Sequence, residues 1–205
     1  MSRQYQPVKL IGIAGPSGSG KSELARWLSV KTGARVLNLD HYYLNLSHLP
    51  LEVRAKTNFD EPHSVDHDAI LEHARALAGG QAIRAPHYSF EAHTRAPGDD
   101  LIEPQSCVIL EGLFTLYWQE LRDLLAVKLY VDAPEPVCLA RRLERDIRER
   151  GRTRESVEWQ FATSVLPGAR TFIYPCQDFA DLSLSGIDPI DRSGERVLAL
   201  LSDLT

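Results

Sequence analysis

Eight residues near the amino terminus, GPSGSGKS at positions 15–22, have the types and spacing to hold phosphate. Gly15, Gly20, Lys21 and Ser22 fall in register with the pattern G-x-x-x-x-G-K-[ST]. Gly15, Pro16, Ser17, Gly18, Ser19 and Gly20 would form a loop small enough to turn successive backbone N–H groups onto phosphate oxygens. A helix starting where the loop ends adds its partial positive charge. Lys21 offers a full charge to the β- and γ-phosphates, and Ser22 a hydroxyl for Mg²⁺. A Gly/Ser-rich turn can match this pattern by chance. Here it follows an apolar strand and opens an amphipathic helix, the context the motif requires.

Two acids close apolar runs, Asp40 after RVLNL and Glu111 after CVIL. In open α/β sheets ligands sit beyond the carboxyl ends of the strands. Transfer of a phosphoryl group to a hydroxyl needs one carboxylate near Mg²⁺ and one to take the proton. Asp40 is the candidate base and Glu111 the candidate for the metal or its water shell. Each also has a plainer reading, as the cap of a turn or the partner of a lysine. No motif for orienting a hydrolytic water is recognisable, so transfer is favoured over hydrolysis.

The arginine-rich stretch RRLERDIRERGR (141–152) offers further charge. Leu139, Leu143 and Ile147 define an apolar stripe at i, i+4, i+8, which places Arg141 and Arg148 in solvent beside neighbouring acids. Arg142 and Arg145 share one flank, about 60° apart. Arg150 and Arg152 bracket Gly151, where the chain can bend. A cluster of this kind can neutralise charge on a transferring phosphate, although spacing alone favours an ordinary solvated face. APHYSFEAHTR (85–95) shows neither helical nor strand period and reads by itself as a hairpin arm or loop.

The elements that must position these residues alternate. Strands are predicted at 8–14, 34–40, 106–112 and 127–132, with an edge strand at 181–185. Helices are predicted at 22–33, 67–80, 116–125, 134–150 and 194–201. Another begins near Glu155 and must end or kink at Pro167 and Gly168. Residues 41–65 read as irregular, and 82–104 as a hairpin turning at PGDD (97–100). The expected fold is α/β, an open parallel sheet of the P-loop type with helices on both faces. A small hairpin insertion and a helical lid (134–155) complete a single domain over 1–205.

The chain has 205 residues, 43% hydrophobic and 25% charged, a balance that supports a packed core. A formal net charge of −5 argues against a nucleic-acid partner held by bulk electrostatics. Cys107, Cys138 and Cys176 show no metal or redox spacing and read as reduced thiols. The amino-terminal apolar run is too short for a signal peptide, and no stretch approaches membrane-spanning length. The cytoplasm is the expected address.

With GIAGPSGSGKS, LDHYY, NFDEPHSVD, YSFEAHTR, VILEG and ERDIRERGR in this order, the chain resembles the uridine kinases (uridine–cytidine kinases). These belong to the P-loop group that includes phosphoribulokinase, and the likeness runs from about Lys9 to Leu184. The resemblance implies Mg²⁺-assisted transfer of the ATP or GTP γ-phosphate to the ribose 5′-hydroxyl of uridine and cytidine. It implies small-molecule partners only, and a homo-oligomer, tetramer or dimer. By motif it implies Asp40 as base, with Ser22 and Glu111 near the metal. Tyr43 would line the substrate, Asp60 grip the ribose hydroxyls, and Tyr88 and His93 read the pyrimidine. Arg142, Arg145, Arg150 and Arg152 would be lid arginines, and Gln160 would sit near the sugar. Phe90 is expected to pack, and Arg95 to support the base or anchor the hairpin. Ser89 stands where the family commonly has Asp, and His41 where Ser or Asp is frequent. Two alternatives stay open. One is a related kinase acting on nicotinamide riboside, pantothenate or a sugar phosphate; the other is an idle nucleotide-binding regulator.

Overall fold

The computed structural model describes residues 8–103 and 105–203. Residues 1–7 of the expected leaderless amino terminus, and residue 104 of the expected hairpin, lie outside that set. Strand β1 (Lys9–Ala14) is the middle of a five-stranded sheet. On one side it pairs with β5 (Cys107–Glu111), which pairs with β2 (Arg35–Asn38). On the other it pairs with β6 (Leu125–Asp132), which pairs with β7 (Leu182–Ser185). All four pairings are parallel, so every strand delivers its carboxyl end to the same rim.

Both faces of the sheet are packed because alternate side chains leave a strand on opposite sides. Leu10, Ala14, Val108, Leu110 and Tyr130 join one core, with α3 (His67–Ala78) and the hairpin arms β3 (Ile83–Ser89) and β4 (Thr94–Ile102). Ile11, Ile13, Ile109, Val127, Leu129 and Val131 join the other, with α1 (Lys21–Thr32) and the closing helix (Ile190–Ser202). A third, smaller cluster of Cys138, Phe161 and Val165 lies beneath the lid, between α5 (Glu135–Arg150) and the segment that follows it.

Several expectations need correction. Asp40 does not end a strand: β2 stops at Asn38, whose Oδ1 accepts the Asp40 N–H and starts a 3₁₀ turn over Leu39–Tyr42. The irregular 41–65 stretch holds a short helix, α2 (Leu51–Arg54). PGDD is not the hairpin turn. It lies within β4, where a bulge between Pro86 and His87 absorbs it. The chain reverses at 90–93 instead, with Ser89 Oγ accepting the Ala92 N–H and His93 at φ 50°. The helix expected at 116–125 shrinks to α4 (Gln119–Arg122), because Arg122 spends its guanidinium on the carbonyls of Leu116 and Tyr117.

Pro167 does not end its helix either. The path runs from α6 (Arg154–Gln160) through a π-helical turn (Phe161–Val165) into α7 (Leu166–Gly168), then a second π-helical turn (Ala169–Ile173). Widening to π geometry on both sides accommodates the missing proline N–H without a break. Gly168 is there for closeness, since a Cβ on it would stand 2.5 Å from the Asp60 carbonyl oxygen. The last helix, α8, is the Ile190–Ser202 helix, four residues longer at its start than expected.

Candidate active site

The phosphate loop leaves β1 and turns into α1 through Gly20, with Ser19 N–H closing a turn on the Pro16 carbonyl. Gly15, Gly18 and Gly20 all have positive φ, and a Cβ at Gly15 would lie 2.2 Å from the Val131 carbonyl oxygen. Only glycine fits that bend. Lys21 is 6% exposed and has no ion-pair partner within the described residues. Ser19 Oγ is buried and has no hydrogen-bond partner among the described residues. A buried cation and an orphaned hydroxyl in a glycine-rich loop at a helix start are unfavourable unless an anion occupies the loop.

Acids stand opposite the loop. Ser22 Oγ donates to both oxygens of Glu111, each at 3.2 Å. Glu111 is 3% exposed, and burial pushes its carboxyl up to about 7. Lys21 and the Ser22 hydroxyl oppose that rise, whereas Asp40 adds to it. A carboxyl held this way gains from a cation placed between it and Ser22. No group of three or more His, Cys, Asp or Glu side chains gathers for a metal among the described residues. A cation here would depend on phosphate and water oxygens as well, as Mg²⁺ does in nucleotide sites. The Asp40 backbone N–H donates to Asn38 Oδ1; its carboxylate has no hydrogen-bond partner among the described residues.

Between loop and hairpin lies a cavity of about 290 Å³. It gathers Asp40, Tyr43, Asp60, Tyr88, His93, Arg142, Arg145, Arg150, Arg152 and Gln160 on one wall or another, with Ser17 reaching in from the loop. Every substrate-side and lid residue expected from the sequence meets there. Lys21, Ser22 and Glu111 stand outside its lining, on the phosphate side. Asp60 is 4% exposed, its carboxyl pushed up by burial, with Arg142 opposing. Its carboxylate likewise has no hydrogen-bond partner among the described residues.

Aromatic rings line the far end. His93 stacks on Phe59, centroids 5.5 Å apart and planes 12° from parallel. Burial pushes the His93 imidazole down, and Arg152, Arg150 and Arg54 push it further, so the ring is neutral at pH 7. Tyr88 is buried, its hydroxyl has no hydrogen-bond partner among the described residues, and burial raises that hydroxyl to about 12. Tyr43 packs on both Phe59 and Tyr88. Phe90 does more than pack: Arg150 lies over its ring at 4.4 Å. Arg95 anchors the hairpin, donating to the Tyr43 carbonyl at 2.8 Å and pairing with Asp66.

The lid arginines divide differently from the helical-wheel expectation. Arg141 is not in solvent. Its guanidinium donates to the carbonyls of Gly18, Ser19 and Gly186, tying α5 to the outside of the phosphate loop. The wheel failed because Ile147, taken as buried, is 43% exposed, while the loop packs on the flank left to water. Arg148 does pair with Glu144 and Glu149 at the surface. Arg142 donates to Ser17 Oγ at 2.9 Å and to Gln160 Oε1 at 2.8 Å, and Arg152 also donates to Gln160. Asp146, which the sequence did not single out, sits among Arg142, Arg145, Arg150 and Arg152. Its four-residue spacing from Arg142 and Arg150 is also that of an ordinary solvated face, so spacing alone does not single it out.

A family model described as Phosphoribulokinase / Uridine kinase family matches residues 10–190. The chain belongs to this family. The uridine kinase of Vibrio cholerae is 41% identical over 207 residues, covering 98% of this chain and 94% of that protein. The uridine kinase of Escherichia coli is 42% identical over 207 residues, with the same coverage. Among solved structures, phosphoribulokinase from Rhodobacter spheroides superposes with a TM-score of 0.62 at 15% identity. That match covers 90% of this chain and 74% of the other, a likeness of fold alone. The chain is a P-loop kinase, a phosphotransferase that takes its phosphoryl group from ATP.

Proposed function

We propose that this family member transfers the γ-phosphate of ATP or GTP to the 5′-hydroxyl of uridine and cytidine. The observation that carries the reading is the cavity itself. Its lining brings two carboxylates, Asp40 and Asp60, together with the rings of Phe59, Tyr88 and His93 and the guanidiniums of Arg142, Arg145, Arg150 and Arg152. A ribose suits the carboxylates, a flat base the rings, and a phosphate the guanidinium groups. The 41–42% identical relatives are uridine kinases, which supports the same substrate.

In this reading Asp40 accepts the proton of the attacking 5′-hydroxyl. Asp60 accepts from the vicinal ribose hydroxyls. Neutral His93 accepts from or donates to position 4 of the pyrimidine according to its tautomer, which accommodates both bases. The phosphate-loop N–H groups and Lys21 hold the donor phosphates, and the lid guanidiniums surround the group in transit. Ser22, Glu111 and Asp40 would hold Mg²⁺, directly or through water; when bound it neutralises charge on the phosphates. Gln160, gripped by Arg142 and Arg152, is carried with the lid toward the sugar.

The proposal extends to a single domain working in the cytoplasm as a homo-oligomer, on small molecules only. No helix among the described residues is long and apolar enough to cross a membrane. An ADP-release assay over uridine, cytidine, nicotinamide riboside, pantothenate and a sugar phosphate tests the substrate. Uridine and cytidine should give the highest kcat/KM; silence with both, or a clear preference for another acceptor, would overturn the proposal.

A further inference from the structure

Four guanidiniums converge around one fully buried carboxylate. Asp146 is 0% exposed. Arg145 clasps its Oδ1 through Nε and Nη2, both at 2.9 Å. Arg142, Arg150 and Arg152 stand further off at 3.5, 3.4 and 3.5 Å, within ion-pair range but without a hydrogen bond to it. Asp146 Oδ2 and Arg142 Nε are both buried and have no hydrogen-bond partner among the described residues.

A buried ion pair is weak evidence for stability, because desolvation cancels most of the attraction. One carboxylate facing four guanidiniums is further unbalanced, and the excess is positive. The cluster also has a direction. Arg142 reaches Ser17 in the phosphate loop, while Arg150 lies over Phe90 on the nucleoside side. It therefore spans the gap that a transferred phosphoryl group crosses. The Asp146 backbone carbonyl accepts the N–H groups of Gly151 and Arg152, turning the chain so that Arg150 and Arg152 return beside Arg142.

We propose that Asp146 is the positioning residue of the lid, with Arg145 as its fixed partner. Its carboxylate gathers Arg142, Arg150 and Arg152 over the phosphate loop and releases them to the phosphate in transit. This rests on the phosphotransferase reading given above. Burial pushes the Asp146 carboxyl up, but Arg142, Arg145 and Arg150 outweigh it and hold the group below the usual range. It is a competing anion at any working pH.

The test compares wild type, Asp146→Asn and Asp146→Glu. It reads kcat with uridine and ATP, calorimetric affinity for a non-hydrolysable ATP analogue with Mg²⁺, and melting temperature. In Asp146→Asn, kcat should fall about tenfold or more. Analogue affinity should stay within about threefold or tighten, because a competing anion has gone. Asp146→Glu should recover part of kcat. A kcat within about threefold of wild type would overturn the inference. So would kcat, analogue affinity and melting temperature falling together in both variants, the mark of a merely structural residue. A wild type that phosphorylates no nucleoside would remove the phosphotransfer reading alone. The analogue titration would then still decide on Asp146, with tighter binding by Asp146→Asn supporting its role and weaker binding contradicting it.

Discussion

Asp40 and Asp60 hold the same functional group in different surroundings. Asp40 sits in a 3₁₀ turn, partly exposed and unbonded, facing the phosphate side. Asp40→Asn should lower kcat by about 10²- to 10⁴-fold, with nucleoside affinity by calorimetry largely kept. Near-normal turnover would remove it as the base. Asp60 is buried and can be satisfied by a pair of hydroxyls, so uridine should exceed 2′-deoxyuridine in kcat/KM by about 10-fold or more. That margin should collapse in Asp60→Ala; an unchanged margin would move ribose recognition elsewhere. Glu111 bears on stability. Its folded carboxyl keeps a proton between the ordinary 4.5 and about 7, where the unfolded chain has lost its own. The unliganded protein therefore holds this contribution in full below pH 4.5 and loses it as pH rises through about 7. Melting temperature should decline less across that window in Glu111→Gln; parallel declines would contradict it. Asp40 and Glu111 were legible in the sequence because each closes an apolar run. Asp146 was not, because acid–arginine pairs four apart usually mark a solvated surface. Only the fold, which leaves Asp146 0% exposed, shows that this one is buried.

Among the elements, α5 has two jobs on two flanks. One flank carries the guanidiniums of the cleft; the other carries Arg141, which staples the phosphate loop to the turn after β7. That junction is tight, since a Cβ on Gly186 would stand 1.8 Å from the Ser19 carbonyl oxygen. Gly186→Ala must displace the phosphate loop, and Arg141→Met must free it. Both should raise KM for ATP about tenfold while leaving KM for uridine near wild type. Equal effects on both substrates, or none, would show that the staple does not govern the loop. The helical period found α5 and its ends correctly, and the strand runs found β1, β5, β6 and β7. It missed Arg141, because a wheel built on Leu139, Leu143 and Ile147 cannot know that another loop covers the opposite flank. Turn composition misled at PGDD for a related reason. A β-bulge and a turn use the same residues, and strand register decides between them.

For the whole molecule, the strand order β2-β5-β1-β6-β7 explains why the parts meet. With β1 central, its loop leaves beside the ends of β5 and β6 and receives Glu111 from one neighbour. The turn after β2 adds Asp40 on the same rim. The hairpin and the α5–α6 segment, which carry Tyr88, His93 and the guanidiniums, close the remaining sides. Alternating apolar runs foretold the parallel sheet. The convergence of YSFEAHTR with ERDIRERGR came only through family resemblance, because no local period links segments some fifty residues apart. The central claim is that this architecture phosphorylates the 5′-hydroxyl of a pyrimidine ribonucleoside. Its most direct test is to incubate wild type with uridine, ATP and Mg²⁺ and assign the product by phosphorus NMR. A single phosphomonoester at the 5′ position, with no product from 5′-deoxyuridine, is the predicted result. Phosphate on another hydroxyl, or ATP consumed with uridine unchanged, would contradict the account.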